Sequence, residues 1–259
     1  MTTSQDPESP EAAPSPEAAD APRLSVLVPF YDEADNVELL HREIDEAVSA
    51  LSGGVEFVYV DDGSRDATPQ RLAALAKRDA RISVLTLAQN RGQSAALDAG
   101  FRVLRGEVTV TLDGDLQNDP ADIPRLLAEL DRADVVNGVR TQRCDSWVRK
   151  LSSRVGNGFR NWLTREAVTD VGCSLRVMRS SFLRRIKLYR GMHRFLPTLL
   201  RLEGARVTEI SVNHRPRRHG ASKYAISNRL FVGLADTLAV RWMQSRQLHY
   251  QVHRPDRVR

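Results

Sequence analysis

From Leu24 the chain alternates short, continuous apolar runs with amphipathic stretches of helical period, and this alternation points to one fold class. The runs Leu24–Val28, Val55–Val60, Ile82–Leu87 and Val108–Leu112 carry apolar or β-branched residues at most positions, the pattern of strands buried on both faces. Between them, residues 36–51, 68–77, 94–104 and 121–131 read as helices, with Val37, Leu40, Ile44 and Val48 on one face of the first. Asp134–Gly138 reads as a fifth strand. Such alternation predicts an α/β fold, a mostly parallel sheet with helices on both faces. Past Gly138 the regularity fades: 146–163 and 180–202 read as helical and Arg206–Val212 as a strand. A last helix, Phe231–Met243, sets Phe231, Leu234, Leu238 and Trp242 on one side. It is too short, and too interrupted by Asp236 and Arg241, to cross a bilayer. Two readings stay open for it, a helix closing the core or one lying on a membrane surface.

Composition divides the 259 residues further. Residues 1–22 are rich in Pro, Ala, Ser and acids with almost no large apolar group, the composition of a disordered tail, and they lack the basic start and apolar stretch of a signal peptide. A globular unit is expected over 23–228, followed by the amphipathic helix and a basic tail over 229–259. The two cysteines, Cys144 and Cys173, have neither metal-site spacing nor disulfide-scaffold density, which favours a reducing, cytoplasmic compartment. The net charge of +5 hides an asymmetry: residues 1–138 hold 12 Lys or Arg against 26 Asp or Glu, and residues 139–259 hold 26 against 7. The first half is suited to cations and the second to anions, whether phosphorylated substrates, lipid head groups or nucleic acid.

Chemistry concentrates in turns that follow the predicted strands. Phe30-Tyr31-Asp32-Glu33, Asp61-Asp62-Gly63-Ser64 and Asp113-Gly114-Asp115-Leu116-Gln117 all sit at carboxyl ends of apolar runs, where open parallel sheets bind ligands. In the third, two carboxylates one residue apart approach a divalent cation from a single loop and Gln117 adds a neutral oxygen, a hard donor set suited to Mg²⁺ or Mn²⁺. In the second, Gly63 permits a tight turn and the carboxylates face a base or ribose hydroxyls. Taken singly, each turn has a plainer reading, an acidic loop capping the next helix, and Asp66 and Thr68 are assigned that role.

Together these turns, with Asn90-Arg91-Gly92-Gln93-Ser94-Ala95-Ala96-Leu97, resemble the nucleotide-sugar-dependent glycosyltransferases of family 2, whose fold is called GT-A. The resemblance runs from about Leu24 to Gln247 and is similar in detail to the dolichyl-phosphate mannose synthase-like branch, which includes bacterial polyprenyl-phosphate enzymes. Asp170-Val171-Gly172-Cys173-Ser174-Leu175-Arg176 and Arg217-Arg218-His219-Gly220-Ala221-Ser222-Lys223-Tyr224 resemble two later signatures of that branch.

The resemblance implies a metal-dependent, inverting hexosyltransferase carrying sugar from a UDP- or GDP-linked donor to a polyprenyl phosphate such as undecaprenyl phosphate. It implies donor contacts from Pro29, Tyr31, Asp32, Glu33, Asp61, Asp62, Asn90, Gly92, Asp113 and Gly114. Asp113, Asp115 and Gln117 would hold Mg²⁺ or Mn²⁺, and Asp115, Arg217 and Lys223 would act at the reacting phosphates. Arg140, Arg149, Ser153 and Ser222 would receive the acceptor phosphate. Many relatives append transmembrane helices after this core, whereas this chain ends soon after Met243. A peripheral position on the inner membrane face is therefore expected, through the amphipathic helix, the basic surface or an integral membrane partner. Alternatives are a family 2 enzyme acting on a soluble glycan or protein, a sugar nucleotidyltransferase, for which the first loop lacks the glycines, and a nucleic-acid binder, for which no stacking or finger motif is present.

Overall fold

The computed structural model describes residues 22–140, 158–166, 168–216 and 229–248, with side chains in the last stretch from 232 onward. Seven strands, β1 (Leu24–Phe30), β2 (Val55–Asp61), β3 (Ile82–Thr86), β4 (Val108–Thr111), β5 (Val135–Arg140), β6 (Arg176–Arg179) and β7 (Val207–Val212), form one sheet in the order β3-β2-β1-β4-β6-β5-β7. Six of the seven run parallel. β6 alone is antiparallel, to both β4 and β5. β1 is buried along nearly its whole length, as its unbroken apolar sequence requires.

Helices cover both faces, as predicted. On one, α1 (Val37–Val48) and α2 (Thr68–Arg78) place Val37, Leu40, Ile44, Leu72 and Leu75 against Val26, Val28, Phe57 and Tyr59, joined by Ile123 and Leu126 of α4 (Ile123–Ala128). On the other, Ala96, Leu97 and Phe101 of α3 (Gln93–Phe101) pack with Leu27 and Val58, and with Phe195, Leu196, Leu199 and Leu200 around α7 (Leu196–Leu202).

Two expectations are corrected, and the two open readings of the last helix are divided. The helix expected over 121–131 is a single α-helical stretch between 3₁₀ turns at Pro120–Asp122 and Glu129–Asp131, because Pro120 and Pro124 set its entry and leave few intrahelical donors. The helix expected over 180–202 is interrupted after α6 (Ser180–Leu183), where Gly191 turns left-handed at φ 82° before a 3₁₀ turn leads into α7. The last helix, α8 (Arg229–Ser245), contributes Val240 to the core, with Met243 packed against it, but not its apolar stripe. Thr237 and Val240 face inward, and Leu234, Leu238 and Trp242 face out. A further helical stretch, α5, covers residues 158–164. Among the described residues no helix is long and apolar enough to cross a membrane.

Register aligns the functional turns. Phe30 pairs with Asp61 across β1 and β2, and Leu27 pairs with Thr111 across β1 and β4, so the segments leaving these strands emerge at one sheet edge. The chain builds outward from β1 to β3 and then returns to add β4 on the other side of β1. The crevice lies at that reversal, between β1 and β4.

Candidate active site

The first two acidic turns hold each other in place. Asp32 adopts φ 50°, a left-handed conformation rare for a side-chain-bearing residue, and its backbone N–H donates to Ser64 Oγ at 2.9 Å while its Oδ1 accepts from Arg65 N at 2.6 Å. Glu33 is buried, with its N–H donating to Thr68 Oγ1 and its carboxylate accepting from Asn36 Nδ2. Asp66 accepts from the N–H of Thr68 at the start of α2, the capping role expected of it, whereas the Thr68 hydroxyl serves the first turn. Pro29, next to last in β1, pairs with Val60, and Tyr31 follows directly after the end of β1. Gly63 has φ +67°, and a Cβ there would lie 2.5 Å from the carbonyl carbon of Gln89, so only glycine lets the β2 and β3 loops meet.

Asp61 and Asp62 face different ways. Asp62 accepts three hydrogen bonds, from Asn90 Nδ2 at 2.9 Å, Arg91 N at 2.7 Å and Gly92 N at 2.8 Å, and so shapes the loop that opens α3. Burial raises its pKa, and the two backbone N–H donors oppose that rise. Asp61 is fully buried; its Oδ1 accepts from Ser64 N at 3.1 Å, and its Oδ2 has no hydrogen-bond partner among the described residues. A buried carboxylate oxygen left unpaired is costly, and a donor group from a ligand would satisfy it.

The third turn gathers two carboxylates under strain. Leu116 sits at φ 60° between Asp115 and Gln117, its buried side chain pinning the turn from below. Gly114 packs so closely that a Cβ would lie 2.7 Å from the Phe30 ring. Asp113 accepts from Gln93 Nε2 at 2.6 Å, and Asp115 accepts from Gln117 N at 3.1 Å. Burial and then the neighbouring Asp115 charge push the Asp113 pKa up to about 6, with Ser174, Arg176 and Arg140 pulling the other way. A buried carboxylate whose proton affinity is raised by a second carboxylate beside it is a site that a cation would relieve. Among the described residues no three His, Cys, Asp or Glu side chains come together as a metal cage, but two carboxylates with diphosphate oxygens suit Mg²⁺ or Mn²⁺, so the residues present fit such an ion.

The basic half reaches this edge from two sides. Gln117 O accepts from Arg215 N at 2.8 Å, Asn118 bridges His214, and Arg215 is clamped by Glu43 at 2.5 Å and Asp119 at 2.6 Å. The chain therefore leaves the cation turn two residues before Arg217. Arg149, Ser153, Arg217, Ser222 and Lys223 lie outside the described residues. Arg140, at the end of β5, donates from Nε and Nη2 to Asp170 at 2.7 and 2.9 Å.

Sequence reasoning passed over several neutral or buried groups. Gln93 orients Asp113; Ser174 Oγ donates to Asn118 Oδ1 at 2.7 Å, and Asn118 in turn accepts from Asp113 N at 3.4 Å. Arg176 is buried and donates to Asn137 Oδ1, His193 O and Val171 O. His193 bonds Ser94 Oγ at 2.7 Å, and burial with nearby Arg194 and Arg176 drives its pKa down to about 3, so it is neutral. Gln93, Ser94, Ser174 and Arg176 lie inside segments whose resemblance was noted, the signal that was available for them. Cys173 is buried with its thiol pushed up to about 11 by burial, the environment of a packing residue.

The family model described as glycosyl transferase family 2 matches residues 25–187. The undecaprenyl-phosphate 4-deoxy-4-formamido-L-arabinose transferase of Edwardsiella ictaluri is 40% identical over 206 residues, covering 78% of this chain and 63% of that protein. The dodecaprenyl-phosphate galacturonate synthase of Rhizobium johnstonii is 38% identical over 223 residues, covering 84% and 66%. The chain thus spans about two thirds or less of the length of these relatives. Among solved structures, glucosyl-3-phosphoglycerate synthase from Mycobacterium tuberculosis in complex with Mg²⁺ and uridine diphosphate superposes with TM-score 0.64 at 20% identity, covering 86% of this chain and 81% of that one. The Pyrobaculum calidifontis mannosyltransferase in complex with GDP-Man and Mn²⁺ gives 0.60 at 18%, covering 91% and 67%. The seven-stranded sheet is a GT-A fold, and the chain belongs to glycosyl transferase family 2.

Proposed function

We propose that this protein transfers a sugar from a nucleoside diphosphate to a polyprenyl phosphate at the inner face of the cell membrane. The observation that carries the reading is the sheet edge where β1, β2 and β4 end, with a buried Asp61 Oδ2 that has no hydrogen-bond partner among the described residues and an Asp113 pKa raised by burial and the neighbouring Asp115 charge. The two relatives near 40% identity, both named for polyprenyl-phosphate products, support the acceptor.

Asp32 and Asp61 hold the nucleoside, and Asp62 keeps the Asn90–Gly92 loop against it. Asp113, Asp115 and Gln117 would hold Mg²⁺ or Mn²⁺, which when bound neutralises charge on the departing diphosphate. Gln93 and Asn118 keep Asp113 aimed. An acceptor phosphate oxygen attacks the anomeric carbon as the bond to the diphosphate oxygen breaks, inverting that centre. A phosphomonoester has its second pKa near about 6, so the attacking oxygen is already anionic at neutral pH and needs no general base. The neutral, buried His193 is consistent with that economy. Arg217 and Lys223 draw the phosphates together through charge-assisted hydrogen bonds.

The test is transfer of labelled sugar from a panel of UDP and GDP donors to undecaprenyl phosphate with Mg²⁺ or Mn²⁺, beside Asp115→Ala and a chelator. Lipid product that vanishes in both controls is expected. Metal-dependent donor binding with no lipid product from any donor would overturn the acceptor and leave the donor site intact.

A further inference from the structure

Helix α8 buries Val240 in the core yet turns a second apolar stripe outward, unlike a surface helix of a water-soluble body. Two of its polar residues turn inward: Asp236 pairs with Arg194 at 2.9 Å, and Gln244 donates to Thr164 O at 2.9 Å. Its outer face carries Leu234, Leu238 and Trp242 four residues apart, 40%, 51% and 62% exposed. A helix facing water on that side would carry the opposite pattern. The Gln244 contact sets α8 beside α5, and two residues before Thr164 stands Trp162, 73% exposed and in tilted ring contact, centroids 6.0 Å apart, with exposed Phe159. Two segments about eighty residues apart in sequence thus bring exposed aromatic and aliphatic groups to neighbouring helices.

Charge selects the occupant. The acids of these segments are drawn inward, Asp236 to Arg194 and Glu166 to Arg201 at 2.7 Å and to Thr198. Arg165 and Arg246 remain exposed beside the aromatic groups. Tryptophan with arginine around an apolar stripe is the composition that settles at the boundary between head groups and acyl chains, where an indole keeps its N–H wet and its ring dry. We propose that α5 and α8 together form a docking surface for an anionic lipid bilayer, with Trp162, Leu238 and Trp242 entering the interface and Arg165 and Arg246 lying against the phosphates. This rests on the reading above in that a polyprenyl phosphate resides in such a bilayer. The surface is also tied to the site: Arg194 follows His193, which bonds Ser94 beside Gln93, the residue holding Asp113.

The experiment is co-sedimentation of the full chain with vesicles of phosphatidylglycerol and phosphatidylcholine that contain no polyprenyl phosphate, across a salt series. Wild type is expected to partition to the vesicles, more weakly as salt rises. Leu238→Glu and Trp162→Glu, each placing charge on the apolar face, are expected to lower partitioning about tenfold or more. Arg246→Glu should weaken binding and flatten the salt dependence. Binding of uridine or guanosine diphosphate with Mn²⁺, unchanged in all three, verifies that they fold. Absence of vesicle binding by wild type, or equal partitioning of wild type and both apolar-face variants, would overturn the proposal. So would a homodimer, seen by light scattering, that Leu238→Glu dissociates while vesicles bind nothing, since a second copy would then cover the face. Vesicle binding without sugar transfer would count against the polyprenyl-phosphate acceptor alone.

Discussion

Asp62→Ala tests whether the second acidic turn acts by shaping its neighbour. The carboxylate accepts hydrogen bonds at 2.7–2.9 Å from Arg91 N, Gly92 N and Asn90 Nδ2, and all three donors lose their acceptor together. Hydrogen bonds to a charged group contribute about 1.5–3 kcal/mol each, and donors left to water recover part of that. Because the loop is partly exposed, a loss of roughly 3 kcal/mol is expected, lowering Tm by about 6–12 °C for a domain of this size. Asp62→Asn retains one acceptor oxygen but turns an NH₂ toward the N–H groups, so about half that loss is expected. Thermal and urea unfolding measure the stability, and titration with uridine or guanosine diphosphate measures the donor site. The reasoning requires both to weaken, donor affinity by about tenfold or more as the 90–92 loop loses its shape. A variant within about 0.5 kcal/mol of wild type, or one destabilised as expected but binding donor normally, would refute it.

Two other outcomes follow from the same edge. Gly63→Ala places a Cβ 2.5 Å from the Gln89 backbone at a positive φ, and should destabilise by about 2–4 kcal/mol and abolish donor binding; a folded variant that binds donor would show that the β2 and β3 loops tolerate separation. The pH dependence has a definite sign. With Asp113 raised to about 6 by burial and Asp115, the proton competes with the cation below that pH, so Mn²⁺ affinity should fall by up to about tenfold per unit from pH 6 to 5 and level off above 7. Calorimetric titration across that range reads it, and a flat profile would mean that the pair is already ionised.

Much of this was legible in the chain, for definable reasons. β1, β2 and β4 announce themselves because strands buried on both faces need apolar residues at nearly every position, and the edge strand β3 keeps the same apolar run although Ser83 and Thr86 are exposed. β6 does not, since Arg-Val-Met-Arg is four residues long and its first arginine is buried against Asn137 and two backbone carbonyls, an environment no hydropathy pattern encodes. The acidic turns stand out because carboxylates directly after apolar runs are conspicuous. What each carboxylate faces is a tertiary fact: Asp61 keeps one buried oxygen without a partner among the described residues, while the adjacent Asp62 accepts from three donors. Gln93, Asn118 and Ser174 are neutral and common, and only folding shows them around Asp113. Periodicity found the Leu234, Leu238 and Trp242 stripe of α8 but carries no sign, and the choice between inward and outward came from where Asp236 and Gln244 found partners.

The reversed strand β6 has a consequence for how the molecule is made. As the chain leaves the ribosome, β1 to β4 are complete at Thr111, yet one side of β4 has no partner until Arg176–Arg179 emerges. Nor can β5 stand in, because β6 lies between it and β4. For several seconds of synthesis, at about 5–20 residues per second, the nascent sheet presents the open backbone of Val108–Thr111 to any other strand. The same insertion that carries Ser174 and Arg176 to the cation turn therefore makes β4 the edge where a stalled or truncated chain would begin to aggregate.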